Sequence, residues 1–320
     1  MIKMKKLLSV LLLAVLVSSG TVFFLTGAVT PEKDFIRYAE FNAPYELLRK
    51  ALDIDIESHD TANHLKMSDS IAYLAALYYN DFTKYSEKDL DDLYNKIKSG
   101  SNIEKLSGKL YKFSYYRNVY SAALGGLVGE YEKTGQNGSK TKEYGLKAYS
   151  PVAAGFAYSE YDDFGASRSY GYKRRHLGHD MLCEVGTPII CIEEGTVECI
   201  GWNQYGGWRI GIRSNDKKRY YYYAHLRKNR PYHTDIYVGK KVSAGDVIGY
   251  AGRTGYSAKE NVNNIEIPHL HWGLELVFDE SQKESDNEIW IDIYAITKLL
   301  SEQKAEVRRD PLSKEFYPVK

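Results

Sequence analysis

His176-Leu177-Gly178-His179-Asp180 and Pro268-His269-Leu270-His271-Trp272 are the two stretches on which the reading of this 320-residue chain turns, with Tyr223-Ala224-His225-Leu226 between them. The spacing is even in both outer stretches, four residues from His176 to Asp180 and two from His269 to His271. On an extended strand an even spacing puts both side chains on one face. The expectation is therefore of strands that present imidazoles and a carboxylate to one concave surface. Two imidazoles and one carboxylate with a fourth position left open suit a catalytic zinc, because a closed structural site takes four protein ligands.

The surrounding sequence reads as β. Runs at 187–192, 196–201, 208–213, 219–224, 246–251 and 271–277 cluster or alternate β-branched and aromatic residues between glycine turns. Such runs suit a mainly antiparallel sheet folded over itself. Beyond it, residues 289–307 return to helical spacing through Ile293, Ile296, Leu299 and Leu300, which predicts a closing helix.

Further short motifs fall in order along the same half. They are Phe164-Gly165 with Arg168, Gly186-Thr187-Pro188-Ile189, Gly195-Thr196-Val197, Gly206-Gly207, Val242-Ser243-Ala244-Gly245-Asp246-Val247-Ile248-Gly249, and Gly252 with Thr254-Gly255. Singly these are weak, and the Val242 to Gly249 pattern also occurs in lipoyl- and biotin-carrier hairpins. In this order, with every histidine in place, the segment from about 164 to 276 resembles the lysostaphin-like zinc endopeptidases, which cut peptides of bacterial peptidoglycan. The resemblance implies that His176, Asp180 and His271 bind Zn2+ and leave the fourth position to water. It implies that His225 and His269 are the two non-ligand histidines, which orient or deprotonate that water and stabilise the oxyanion. The implied activity is zinc-dependent hydrolysis of peptide bonds in peptidoglycan stems or cross-bridges. The alternative is a membrane-tethered, non-enzymatic scaffold or regulator of wall remodelling with the same fold; degenerate members usually lack a ligand or a catalytic histidine, and none is lacking here. Segments 158–175 and 255–267 are the expected determinants of bond specificity. His179, one residue from Asp180, points to the opposite face of a strand and is expected to be structural or at the surface. His233, in the polar loop 227–234, is expected to be solvated.

The first half differs. Lys3, Lys5 and Lys6 precede an uncharged run from Leu7 to Val29, long enough to span a hydrocarbon core. Residues 1–30 are thus expected to be a signal anchor, with the rest of the chain outside the cell membrane, or a cleaved signal peptide of a secreted protein. Residues 31–132 repeat apolar positions at helical spacing, with Pro44, Ser68, Ser86 with Asp89, and Ser101 with Glu104 as start signals for the first four of five helices. Residues 133–145 are polar, glycine-bearing and aperiodic, and read as a linker. The expected fold class is α+β and multidomain: an N-terminal membrane anchor, a small all-α domain, a mainly antiparallel β domain over 146–280, and a helical extension over 281–320.

A net charge of +1 gives no case for nucleic acid. The expected partners are peptidoglycan peptides, and the membrane through the N-terminal segment. Tyrosine outnumbers phenylalanine 29 to 10, which reads mainly as half-buried core. Cys183, Cys191 and Cys199 cannot all pair within one chain; buried free thiols are expected, with Cys191 and Cys199 flanking a hairpin turn near Gly195.

Overall fold

A computed structural model describes residues 35–134 and 139–319. The expected anchor or signal over 1–30 lies outside the described residues. Among the described residues no helix is long and apolar enough to cross a membrane.

Among the described residues five α-helices come first: α1 (Tyr45–Ser58), α2 (Met67–Tyr78), α3 (Glu87–Lys98), α4 (Ile103–Ser107) and α5 (Phe113–Leu124). Each buries the apolar stripe that its sequence spacing implies, for example Leu47, Leu48, Ala51 and Leu52 on α1. Two starts differ from expectation. The α2 cap position is Lys66, and the Met67 N–H instead donates to Asp55 Oδ2 of α1 at 2.7 Å. In α4 the Asn102 side chain, not Ser101, accepts from Lys105 N. An acceptor supplied from a neighbouring helix meets the same orphan N–H groups as a local cap does.

The expected linker is instead sheet. Within it, 133–134 end β1 (Val128–Thr134) and 140–145 lie in β2 (Lys140–Leu146), paired in register from Val128 opposite Leu146 to Thr134 opposite Lys140. Its outer part pairs charge with charge, Lys140 with Glu132 at 2.9 Å and Lys133 with Glu143 at 3.3 Å. A strand that is polar on both faces has no period-2 signal to read. At its base the Tyr144 ring stacks on His59 at 3.5 Å and its hydroxyl donates to Asp55 at 2.8 Å.

The remaining strands are β3 (Tyr158–Glu160), β4 (Ser167–Tyr170), β5 (Tyr172–Arg175), β6 (His179–Cys183), β7 (Pro188–Ile190), β8 (Gly195–Asn203), β9 (Gly207–Ser214), β10 (Arg219–Ala224), β11 (Lys241–Val242), β12 (Val247–Tyr250), β13 (His269–Leu276), β14 (Ile289–Trp290), β15 (Val307–Arg309) and β16 (Phe316–Pro318). The main sheet runs β11-β8-β9-β10-β13-β6-β3, all antiparallel, with β14 on the end of β13. β7 pairs with β12 in a separate ribbon. Because β7 and β8 belong to different sheets, Cys191 and Cys199 do not face each other across a hairpin. All three cysteines are free, with Cys183 and Cys191 buried; burial pushes both thiols above their ordinary pKa.

The C-terminal extension is only partly helical. The helix expected over 289–307 shortens to α6 (Tyr294–Leu300), preceded by β14 and followed by the β15–β16 hairpin. That hairpin also corrects the expectation for His233. The histidine is buried, its N–H donates to Ile248 O, and the ring of Tyr317 from β16 meets it edge-on at 5.0 Å. The tail covers His233 itself, while Lys228, Asn229, Arg230 and Thr234 of the same loop stay exposed.

Helices and sheet share one apolar core, and Ile36–Lys320 clusters as one compact unit. Polar ties also cross between them. Tyr45 and Arg49 of α1 bond Glu302, just past α6, at 2.8 and 2.9 Å. Arg219 of β10, fully buried, forks onto Glu193 at 2.7 and 3.0 Å and donates to the Ala122 carbonyl of α5.

Candidate metal centre and cleft

β10, β13 and β6 lie side by side at the middle of the sheet and carry the histidines. The register sets His271 opposite Asp180 and, on its other side, opposite Ala224, with His225 immediately after β10. Alternation sends Trp272, Tyr221 and Tyr223 into the core and turns His269, His271 and Tyr222 to the other face. His225 leaves the sheet in a left-handed conformation, φ 61°, its N–H donating to Gly206 O at 2.7 Å. Non-glycine residues seldom adopt this conformation.

His176 is not on a strand with Asp180, contrary to the four-residue spacing argument. It follows β5, with its N–H on Ala166 O and its carbonyl accepting from Gly165 N. The chain then bends through Gly178, where a Cβ would sit 2.6 Å from the His271 ring and from Trp272 O. Only glycine lets the bend come that close.

Three donor atoms converge. His176 Nε2 is 2.9 Å from His271 Nδ1 and 3.1 Å from Asp180 Oδ1, and His271 Nδ1 is 2.9 Å from Asp180 Oδ1. Ligands at about 2.0–2.1 Å from a tetrahedral zinc stand roughly 3.3 Å apart, so this triangle is close to the size that Zn2+ requires. The set of two imidazoles and one carboxylate also suits it. His176, Asp180 and His271 form the one such group among the described residues.

A second layer holds the triangle. The Asp163 carboxylate takes His176 Nδ1 at 3.1 Å, leaving Nε2 for the centre. Arg168 donates to Asp163 at 2.5 Å and to Asp180 Oδ2 at 3.4 Å, leaving Oδ1 inward. Such partners fix the tautomer and direction of a metal ligand. Asp163 was not found from sequence: it reaches His176 because the loop folds back, and neither spacing nor motif encodes that. His179 is structural, buried with Nε2 2.9 Å from Glu160.

Burial alone would lower the His176 pKa, but hydrogen bonds to Asp163 and Asp180 outweigh it and raise it to about 9. Burial likewise opposes ionisation of Asp180, yet His176 and His271 hold its carboxyl far below the usual range. Without metal at pH 7, a proton on His176 thus occupies the place of a cation. Zinc must displace it, so below about pH 9 binding should release a proton and weaken as pH falls. Calorimetry at pH 7 in buffers of different ionisation heat checks this; a heat that does not vary with the buffer would contradict it.

His225 Nδ1 donates to Thr254 O at 2.9 Å and His269 Nδ1 to Ile267 O at 2.8 Å, which leaves Nε2 of each to act on a ligand. The two rings lie 4.7 Å apart, and that of His225 lies 5.7 Å from His271. Burial, then His269 and His271, push the His225 pKa well down, so it is a neutral acceptor at pH 7. All five residues singled out in the sequence line one region around a cleft of about 320 Å³. The two expected specificity segments face each other across it, Tyr170 stacking on Tyr256 at 5.2 Å, with Arg174 over Tyr205 and Tyr256 at 4.8 and 5.1 Å.

Residues 174–285 match the model of peptidase family M23. The chain is similar to an L-Ala–D-Glu endopeptidase of Bacillus subtilis, 34% identical over 51% of this chain and 47% of that protein. It is also similar to a glycyl-glycine endopeptidase of Staphylococcus capitis, 39% identical over 30% of this chain and 24% of that one. The chain thus spans about half or less of the length of these curated relatives. A crystal structure of a LytM protein from Ruminococcus gnavus shares the fold, with a TM-score of 0.58 over 88% of this chain and 95% of that one at 22% identity. Over residues 174–285 the chain is thus similar to peptidase family M23, and there it resembles the lysostaphin-like metallopeptidases.

Proposed function

We propose that this chain is a zinc-dependent endopeptidase that hydrolyses peptide bonds in the stems or cross-bridges of bacterial peptidoglycan. The observation that carries the proposal is the convergence of His176 Nε2, Asp180 Oδ1 and His271 Nδ1 at a cleft, beside the paired rings of His225 and His269. The relatives named as L-Ala–D-Glu and glycyl-glycine endopeptidases support the substrate class. Bound by His176, Asp180 and His271, zinc supplies Lewis acidity toward a peptide carbonyl and toward water.

The chain's own residues do the rest. Asp163 and Arg168 keep the ligand atoms turned inward. His225, held neutral by burial and fixed by Thr254 O, accepts a proton at Nε2. His269, fixed through Nδ1 by Ile267 O, presents Nε2 to hold the developing oxyanion or to hand a proton to the leaving amine. Tyr170, Tyr256 and Tyr205 form an aromatic rim over which an extended peptide can lie.

Zinc-loaded full-length protein should release new amino termini from purified peptidoglycan. Stoichiometric zinc with no new termini would favour the scaffold alternative. The lysines before residues 7–29 support a location outside the membrane, anchored by that run or secreted after its removal. Recovery of the chain in the cytosolic fraction would rule out both.

A further inference from the structure

We infer that the cleft selects peptides carrying a free carboxylate next to the scissile bond, and that Arg209 receives that carboxylate. This deepens the peptidase proposal above and rests on it for the identity of the cleft.

The cleft is cationic, and among the described residues three of its four arginines have no ion-pair partner. Arg168, Arg174, Arg175 and Arg209 line it, against the carboxylates of Asp180 and Glu288. Arg168 is committed to Asp163 and Asp180. Glu288 is engaged on both oxygens, by Trp290 Nε1 at 2.8 Å and by Glu284 N at 3.0 Å. Among the described residues, Arg174, Arg175 and Arg209 have no carboxylate within ion-pairing distance. Elsewhere in the protein, Arg117, Arg213 and Arg219 pair with Asp69, Glu198 and Glu193, while the half-buried Arg227 and Arg253 donate through Nε to the carbonyls of Arg230 and Ile265.

Arg209 is the sharpest case. It is half-buried on β9, and its Nε is shut off from solvent with no hydrogen-bond partner. An arginine offers five donors in a planar fork matched to a carboxylate, and a sheltered guanidinium without a counter-ion is costly to keep. Its neighbour is Tyr222, whose ring lies 6.0 Å from His271 and 6.0 Å from Trp290. Arg209 is therefore one side chain removed from the metal centre, on the cleft floor. Arg174 also lines the cleft, over Tyr205 and Tyr256, and the Tyr256 ring is 5.9 Å from His225. An all-glycine bridge has no charged group to offer these cations. A stem peptide whose γ-linked D-glutamate keeps its α-carboxylate does.

The test compares two peptides that differ in one group: a stem peptide containing γ-linked D-glutamate, and the same peptide with that carboxylate converted to an amide. Binding to zinc-loaded, full-length His269→Ala protein, in which cleavage is slowed, is measured by calorimetry at low salt. The acid should bind roughly ten- to a hundredfold tighter than the amide, as expected for a lost charge-assisted hydrogen bond. In the background of Arg209→Gln, with zinc content and circular dichroism unchanged, the acid should fall to the affinity of the amide. Equal affinities, no binding of either peptide, or an acid preference that survives Arg209→Gln (as coordination of the carboxylate to zinc would give) each overturn the inference. Cleavage by the unsubstituted protein is followed separately. Acid-selective binding lost in Arg209→Gln but without cleavage would support the inference while sinking the peptidase proposal, and cleavage with equal affinities would do the reverse.

Discussion

Replacing His176 or His271 with alanine is expected to empty the metal centre. The protein offers three donor atoms, and removing one leaves an imidazole and a carboxylate, too few to hold zinc against water. The loss of affinity should far exceed the roughly 10- to 100-fold typical of losing a second-layer partner, which in turn is the loss expected for Asp163→Ala. Metal analysis after gel filtration, with circular dichroism as the check on folding, reads the result directly. Full zinc occupancy in either variant would remove that residue from the ligand set. His271→Ala only removes atoms, so a loss of zinc there cannot be blamed on a steric clash.

His225→Ala and His269→Ala should behave in the opposite way, keeping zinc and losing turnover. Neither ring contributes an atom to the donor triangle, and each is held from behind through Nδ1 by a backbone carbonyl. General-base or oxyanion help from one such group is worth ~10²-fold or more in rate. The reading is kcat on wall peptides together with zinc content. If His269→Ala loses its zinc while His271→Ala retains it, the roles within the His-x-His pair are reversed.

The parts of this protein visible in its sequence are those governed by local periodicity. Arg219-Tyr220-Tyr221-Tyr222-Tyr223-Ala224 reads as a strand and is one, its odd-numbered tyrosines in the core and Tyr222 in the cleft. The apolar stripes of α1, α3 and α5 are equally plain. What failed depended on chain returning from elsewhere. His176 meets Asp180 across a bend at Gly178 rather than along a strand, so the two converge by a geometry other than the one the even spacing implied. The charged β1–β2 hairpin carries no apolar alternation. His233 is covered in part by Tyr317 of the β15–β16 hairpin, far away in the sequence. Asp163 supports His176 from a loop whose course no local rule dictates. The five site residues were legible because their chemistry is rare in combination, whereas the arginines and tyrosines that shape the cleft are common residues whose importance lies in what they do not pair with.

The central claim is that one zinc at His176, Asp180 and His271 makes this cleft a peptide hydrolase. The most direct measurement strips the full-length protein with a chelator and titrates zinc back while counting amino termini released from purified peptidoglycan. The account predicts no release at the start, a rise in proportion to bound zinc, and a plateau at about one zinc per chain, with the same zinc isotherm but almost no release in His225→Ala. Release by the stripped protein, or full zinc binding by the unsubstituted protein with no release from any wall preparation, would contradict it.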